Sequence, residues 1–263
     1  MSTPSLDPHR PAVISALRAA GCVYAEDEAD LLLAEASSAA ELAAMVARRA
    51  SGVPLELVVG WAELCGVRIA LDPGVFVPRR RTELLAREAL SLVPTNGARP
   101  VVLDLCCGSG AVGAVMVATR PDLELHAVDV DPAAVACARR NLGGHVVHQG
   151  DLYDALPSRL HGSVDVVVAN APYVPTNELR LLPRDVAEHE PVVALDGGVD
   201  GLDIQRRIAL GAHAWLRHGG HLLVETSEEQ AARSLEAMQV AGLVARLVTS
   251  TDESATVAVG RLA

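Results

Sequence analysis

The spacing of apolar positions changes twice along this chain. From about Pro11 to Ala50 it is helical. The stretch "DEADLLLAEAS" puts acids in a first turn. "SSAAELAAMVARRA" offers a Ser cap, an acid soon after it and Arg near the end, which suits the charge distribution of a helix. Residues 53–78 switch to short runs broken by Gly and Pro, in which Val67-Arg68-Ile69-Ala70-Leu71 alternates as a half-buried strand should. The expected organisation is a small helical domain over 1–52, a hairpin linker over 53–79 and a larger unit over 80–263.

The larger unit reads as α/β. Apolar runs at 101–105, 125–129, 145–148, 164–169, 220–225, 243–248 and 255–259 predict strands. Helical spacing falls between or before them at 82–93, 111–119, 132–141, 203–217 and 228–241. Near-continuous apolar strands alternating with helices predict a mostly parallel, Rossmann-like sheet of seven strands covered on both faces. The last two runs have no helix between them, so an antiparallel pair is expected at one edge.

Composition narrows the function more than the fold. Half the residues are apolar but only 2% are aromatic, so the core must be made of Ala, Val and Leu. The formal charge is −11 and no Lys occurs, which disfavours a diffuse nucleic-acid surface. Five Cys with no CxxC pair, no leader-like start and no long apolar run predict a cytoplasmic protein in a reducing compartment. Cys106 and Cys107 lack metal-ligand spacing and the His residues form no ligand-spaced cluster, so no metal is expected.

Two stretches carry chemistry. In "VVLDLCCGSGAVGAVMVA" a strand runs through a tight loop into a helix, and Gly108-Ser109-Gly110-Ala111-Val112-Gly113 fits G-x-G-x-x-G. Asp129 ends the next strand, where an acid can grip ribose hydroxyls. A pyrophosphate would want the bare helix terminus, yet Asp104 stands just before the loop. An acid there suits a cation instead, which favours S-adenosylmethionine, with its sulfonium and ammonium groups, over a dinucleotide. Asp151 follows the third strand. It suits either the adenine amino group, with Leu152 against the ring, or a helix N-cap.

The second stretch, "VANAPYVP", ends the fourth strand of the unit. A planar nitrogen is a poor nucleophile because its lone pair is delocalised. The Asn170 side-chain oxygen and the Pro172 backbone oxygen are pure acceptors that can hold both N–H groups of such a nitrogen. Tyr173 offers a flat wall beside them. A strand-ending Asn before a proline turn is the plainer alternative.

On these motifs the chain resembles the protein-glutamine N5-methyltransferases of peptide chain release factors, the HemK/PrmC type of class I methyltransferase. Asn170-Ala171-Pro172-Tyr173 matches that family's Asn-Pro-Pro-Tyr. "PLELVVGWAELCGVRIALDPGVFVPR", "TELL", "EPVVALDGGVDGLDIQRRI" and "GGHLLVETSEEQ" are similar as well. The resemblance implies a helical docking domain, a hairpin linker and a seven-stranded S-adenosylmethionine-dependent domain. It implies cofactor contacts at Cys106, Cys107, Gly108, Ser109, Gly110, Asp129, Leu152 and Asn170. It also implies that Asn170, Ala171, Pro172 and Tyr173 hold the glutamine of a release-factor Gly-Gly-Gln loop. The chain departs from the family at Ala171, and at Arg80-Arg81, where Pro-Glu is usual. A solvated Arg pair and a changed protein substrate are both open readings of the second departure. An exocyclic amine of RNA or DNA is the alternative methyl acceptor.

Overall fold

The computed structural model describes residues 6–263; residues 1–5 of the opening stretch lie outside the described residues. Helices α1 (Arg10–Ala19), α2 (Ala25–Glu35) and α3 (Ala39–Ala50) bury Val13, Leu17, Ala29, Leu32, Leu42 and Met45 against one another. Ser38 caps α3 by accepting from the Glu41 amide at 3.2 Å, and the Glu41 side chain reaches back to the Ser37 amide at 2.8 Å. The first bond satisfies an amide that the first turn leaves unpaired, and the second ties down the chain just before the cap. A two-pronged Arg49–Glu28 pair, at 2.6 and 3.0 Å, ties α3 to α2.

A one-turn helix, α4 (Leu55–Val59), follows where sequence spacing predicts only short extended runs. Pro54 opens it and Gly60, at φ +82°, ends it in the left-handed conformation. The hairpin is then shorter than expected, β1 (Trp61–Leu64) paired with β2 (Val67–Ala70). Its inner residues Leu64 and Ile69 join the main core. Asn141 clasps the Ala70 backbone on both sides at 2.9 Å and also donates to the Ser109 carbonyl at 2.8 Å. The hairpin is thereby fastened to the glycine loop.

The remaining chain forms α5 (Thr82–Leu92), β3 (Val101–Leu105), α6 (Ala111–Thr119), β4 (Glu124–Asp129), α7 (Pro132–Leu142), β5 (Val146–Gln149) and β6 (Val164–Ala169). After these come α8 (Arg184–His189), α9 (Asp203–Trp215), β7 (Leu216–Thr226), α10 (Ala231–Val240), β8 (Leu243–Ser250) and β9 (Ala255–Leu262). The seven-stranded sheet has the order β5-β4-β3-β6-β7-β9-β8 and is parallel except for β9, which runs against both neighbours. Strand order reverses between β3 and β6, and in open α/β sheets ligands bind at the carboxyl edge of such a point.

Alternation along the strands divides the core in two. Val102, Val166, Val168 and Leu223 pack toward α5 and α6. Leu103, Leu105, Val167 and Val224 face the opposite layer with Ile208 and Trp215 of α9. The fifth parallel strand is longer than its apolar run, because β7 begins at Leu216 directly after α9. Gly219, at φ +77°, and a register shift against β6 between Val164 and Val166 let this polar start join the sheet.

Candidate active site

Three adjacent strands deliver polar groups to one place. Asp104 sits on the face of β3 shared with Val102, and Asn170 continues the alternation of Val166 and Val168 just past β6. Glu225 shares its face of β7 with Leu223. In the parallel register Leu105 lies opposite Ala169, and Ala169 opposite Val224, so Asn170 and Glu225 are neighbours at the carboxyl edge. All three look toward the side covered by α5 and α6.

A cavity of about 420 Å³ opens there, a size ordinary for a small-molecule site. Asp104, Cys106, Cys107, Gly108, Ser109, Asp129, Asp151, Leu152, Asn170, Ala171, Pro172 and Tyr173 all line it. Gly110 does not. It stands at the start of α6 with φ +77°, where a Cβ would press on Leu142 and Ala138 at 3.1–3.2 Å, so its role is in packing.

Around the glycine loop most polar groups are already engaged. Asp129 accepts from the Gly108 amide at 2.8 Å and the Asp131 amide at 2.9 Å, which leaves lone pairs on both oxygens. Buried Asp104 accepts from the Gly113 amide at 2.9 Å, and burial pushes its carboxyl up to about 7. A Cβ on Gly113 would come within 3.1 Å of that carboxylate, which explains the third glycine of the motif. Cys106 takes a left-handed φ of +54°, a conformation that favours glycine, and Leu152 takes +48°. Burial raises the thiols of Cys106 and Cys107 and keeps them protonated, so neither is a ready nucleophile. Asp151 precedes the 3₁₀ turn Leu152–Ala155 but makes no capping bond; Arg207 donates to it at 2.7 Å instead. Among the described residues no group of three or more His, Cys, Asp or Glu could hold a metal ion.

The acceptor stretch is held from two sides. The Asn170 amide nitrogen donates to the Thr82 hydroxyl at 3.3 Å, which turns the amide oxygen away from Thr82. Behind Thr82, the Arg81 Nε donates to Glu225 Oε1 at 3.1 Å, and its Nη2 donates to the Tyr173 hydroxyl. Arg81 thus clamps Glu225 and Tyr173 while its side chain stays 42% exposed, and Arg80 is exposed, so the pair is solvated at Arg80 and engaged at Arg81. Burial raises the Glu225 carboxyl, with Thr82 and then Arg81 pulling it back, and Oε2 is buried with no hydrogen-bond partner. On the other side, the Val174 amide donates to Leu195 O at 2.9 Å and the Gly197 amide to Val174 O at 2.8 Å. Gln230 donates to Tyr173 O at 2.9 Å. A Cβ on Gly197 would lie 2.8 Å from Pro172 O, and one on Gly201 would lie 2.3 Å from Tyr173 O. The "DGGVDGLD" loop is thus built to let the backbone of 172–174 approach closely. Arg79 pairs with buried Glu190 beside the same cavity.

Comparison with known proteins decides the family. The methyltransferase small domain family matches residues 66–183. A release factor glutamine methyltransferase of Geobacter sulfurreducens is 39% identical over 198 residues, covering 73% of this chain and 68% of that protein. The chain belongs to the release factor glutamine methyltransferase family. Another relative, at 39% identity over 71% of this chain and 65% of its own length, is the 4-amino-L-phenylalanine/4-methylamino-L-phenylalanine methyltransferase of Streptomyces pristinaespiralis. A solved methyltransferase from Pyrococcus furiosus shares the fold at 16% identity, with a TM-score of 0.56 over 75% of this chain and 90% of that one.

For a release factor glutamine methyltransferase, the groups that sequence reasoning missed are Thr82, Glu225, Arg79 and Glu190, together with the contacts of Arg81 to Glu225 and Tyr173. Thr82 was within a quoted stretch, "TELL", and Glu225 within "GGHLLVETSEEQ". The available signal was a polar residue ending an apolar strand in each of β3, β6 and β7. No helix among the described residues is long and apolar enough to cross a membrane.

Proposed function

We propose that this protein transfers a methyl group from S-adenosylmethionine to the side-chain amide nitrogen of a protein glutamine, that of the Gly-Gly-Gln loop of a peptide chain release factor. The observation that carries this reading is the Asn170 amide, whose nitrogen donates one N–H to Thr82 while the residue lines the cavity beside Pro172. The amide oxygen, which is not the atom bonded to Thr82, and the Pro172 carbonyl are the acceptors on offer. The relatives' printed activity supports the substrate.

The cavity suits the cofactor. Gly108 has open space where a Cβ would stand, so the ligand can approach the loop backbone. In this reading Asp104 faces the positive end, Asp129 takes the ribose hydroxyls, and Asp151 and Leu152 flank the adenine. When bound, S-adenosylmethionine supplies a methyl carbon made electrophilic by its sulfonium. Asn170 and Pro172 then accept the two N–H bonds of the glutamine amide, and Tyr173 walls its plane. Held this way, the nitrogen has little orientational freedom left to lose. The acceptors also favour positive charge as it develops on nitrogen. Once it has gained carbon the nitrogen is cationic and acidic, and its proton passes to solvent water, so no strong side-chain base is needed. The helices α1–α3 would dock the protein substrate, in a cytoplasmic setting.

The S. pristinaespiralis relative supports a second reading, an aromatic amine as acceptor, since the same two oxygens would hold an aniline nitrogen. Labelled cofactor in a bacterial lysate separates the two. Label in a release-factor band, mapped by mass spectrometry to the glutamine, supports the first reading. Label only in small molecules, or only in nucleic acid, contradicts it.

A further inference from the structure

We propose that Arg81 is a positioning residue that holds the Tyr173 ring against the acceptor site by bridging its hydroxyl to Glu225. This inference rests on the acceptor reading above, in which that ring walls the planar group.

The bridge uses one edge of one side chain. Arg81 Nε donates to Glu225 Oε1 at 3.1 Å, and Nη2 donates to the Tyr173 hydroxyl. These two N–H groups share an edge of the planar guanidinium, so a rigid fork sets the spacing of the two acceptors. The guanidinium carbon stands 5.6 Å from the Tyr173 ring centroid, which adds a cation–π contact to the same pair. Glu225 is a fixed post, buried within β7 and paired across to Val257 of β9. A carboxyl offers Nε an acceptor oxygen in either protonation state, so the post does not depend on Glu225 being ionised. Position 81 is also where the family usually has Glu, and an acid, with at most one proton to donate, could not bridge two acceptors.

Tyr173 needs such a hold. Its backbone is already fixed, because its carbonyl accepts from Gln230 Nε2 at 2.9 Å and the next amide, that of Val174, donates to Leu195 O at 2.9 Å. Two rotatable bonds remain between that backbone and the ring. The hydroxyl lies on the axis of the second, so a bond to it stops the ring swinging about the first. Two-fold flips stay free and leave the wall unchanged. Among the described residues no other hydrogen bond reaches this hydroxyl, so without Arg81 the ring is free to swing into the cavity that both residues line.

The test uses the full-length protein and two readouts. The first needs no substrate, since the chain has only three Tyr. With tyrosine labelled at the ring carbon that bears the hydroxyl, the Tyr173 resonance is assigned by its loss in Tyr173→Phe. Arg81→Met should shift it. Tyr153, whose hydroxyl donates to Ile208 O at 2.9 Å on the other face of the sheet, should keep its resonance. The second readout is turnover with whichever acceptor the lysate experiment identifies. Arg81→Met and Tyr173→Phe should each lower kcat about tenfold to a hundredfold with cofactor affinity within about twofold. Arg81→Lys keeps the charge without the fork and should lose nearly as much. The double variant Arg81→Met with Tyr173→Phe should lose no more than about threefold beyond either single variant, because both break one contact. An unmoved Tyr173 resonance in Arg81→Met, wild-type turnover in either Arg81 variant, or fully multiplicative losses in the double variant would overturn the proposal. A release factor left unmethylated by the wild type counts against the proposed substrate alone, because the resonance readout stands without it. Tyr173→Phe removes a single oxygen atom, so it carries the kinetic test should Arg81→Met melt early.

Discussion

Cys106 and Asp104 each hold an unfavourable state inside the cavity, and each state has a measurable cost. Cys106 occupies a left-handed backbone conformation that charges a residue with a Cβ about 1–2 kcal/mol. Cys106→Gly should therefore raise stability by about 1 kcal/mol in denaturant titration, once the greater freedom of the unfolded glycine is set against the relief. Asp104 binds its proton more tightly folded than unfolded, with a folded value of about 7 caused first by burial. Its contribution to stability accordingly declines as pH rises from the ordinary carboxylate range toward 7, and is level above that. A cationic ligand prefers the ionised form, so S-adenosylmethionine affinity should strengthen up to about tenfold per pH unit on the approach to 7. Calorimetry across pH 5.5–8 (roughly the range bracketing that transition) checks this, and Asp104→Asn should flatten the slope. An unchanged slope in that variant would remove Asp104 from the cofactor site.

At the scale of elements, the loop of residues 196–203 acts as a template for the acceptor stretch. Gly201→Ala places a Cβ 2.3 Å from Tyr173 O at φ +77°, so the backbone of 172–174 must shift. A displacement near 1 Å beside the chemistry should cost turnover about a hundredfold while cofactor affinity stays near wild type, as parallel kinetics and calorimetry would show. The sheet itself was legible in the chain, because buried parallel strands read as apolar runs and the helices between them keep their spacing. What was hidden arose from partners far apart in sequence. The polar start of β7 is carried by its pairing with β6, which no local pattern announces. α4 is a single turn, too short for a periodicity to develop. In the site, the glycine loop and the Asn170 stretch were readable because each is one contiguous motif. The Arg81–Glu225 pair joins positions 144 residues apart, and only the fold brings them together.

Across the whole molecule, the carboxyl edge of one sheet gathers the proposed cofactor and acceptor groups around one cavity, and the helices α1–α3 have a core of their own. A formal charge of −11 leaves nucleic acid a poor partner for such a surface. RNA and DNA offered with labelled cofactor should accordingly stay unlabelled at physiological salt. The central claim is that two fixed oxygens grasp a flat NH2 group and aim it at the methyl carbon. Its most direct test pairs single-turnover methylation of the Gly-Gly-Gln glutamine, read by mass spectrometry, with calorimetric cofactor binding in wild type and Asn170→Ala. The account predicts a loss of turnover of about a hundredfold or more with most of the cofactor affinity retained. Equal turnover in the two proteins would contradict it.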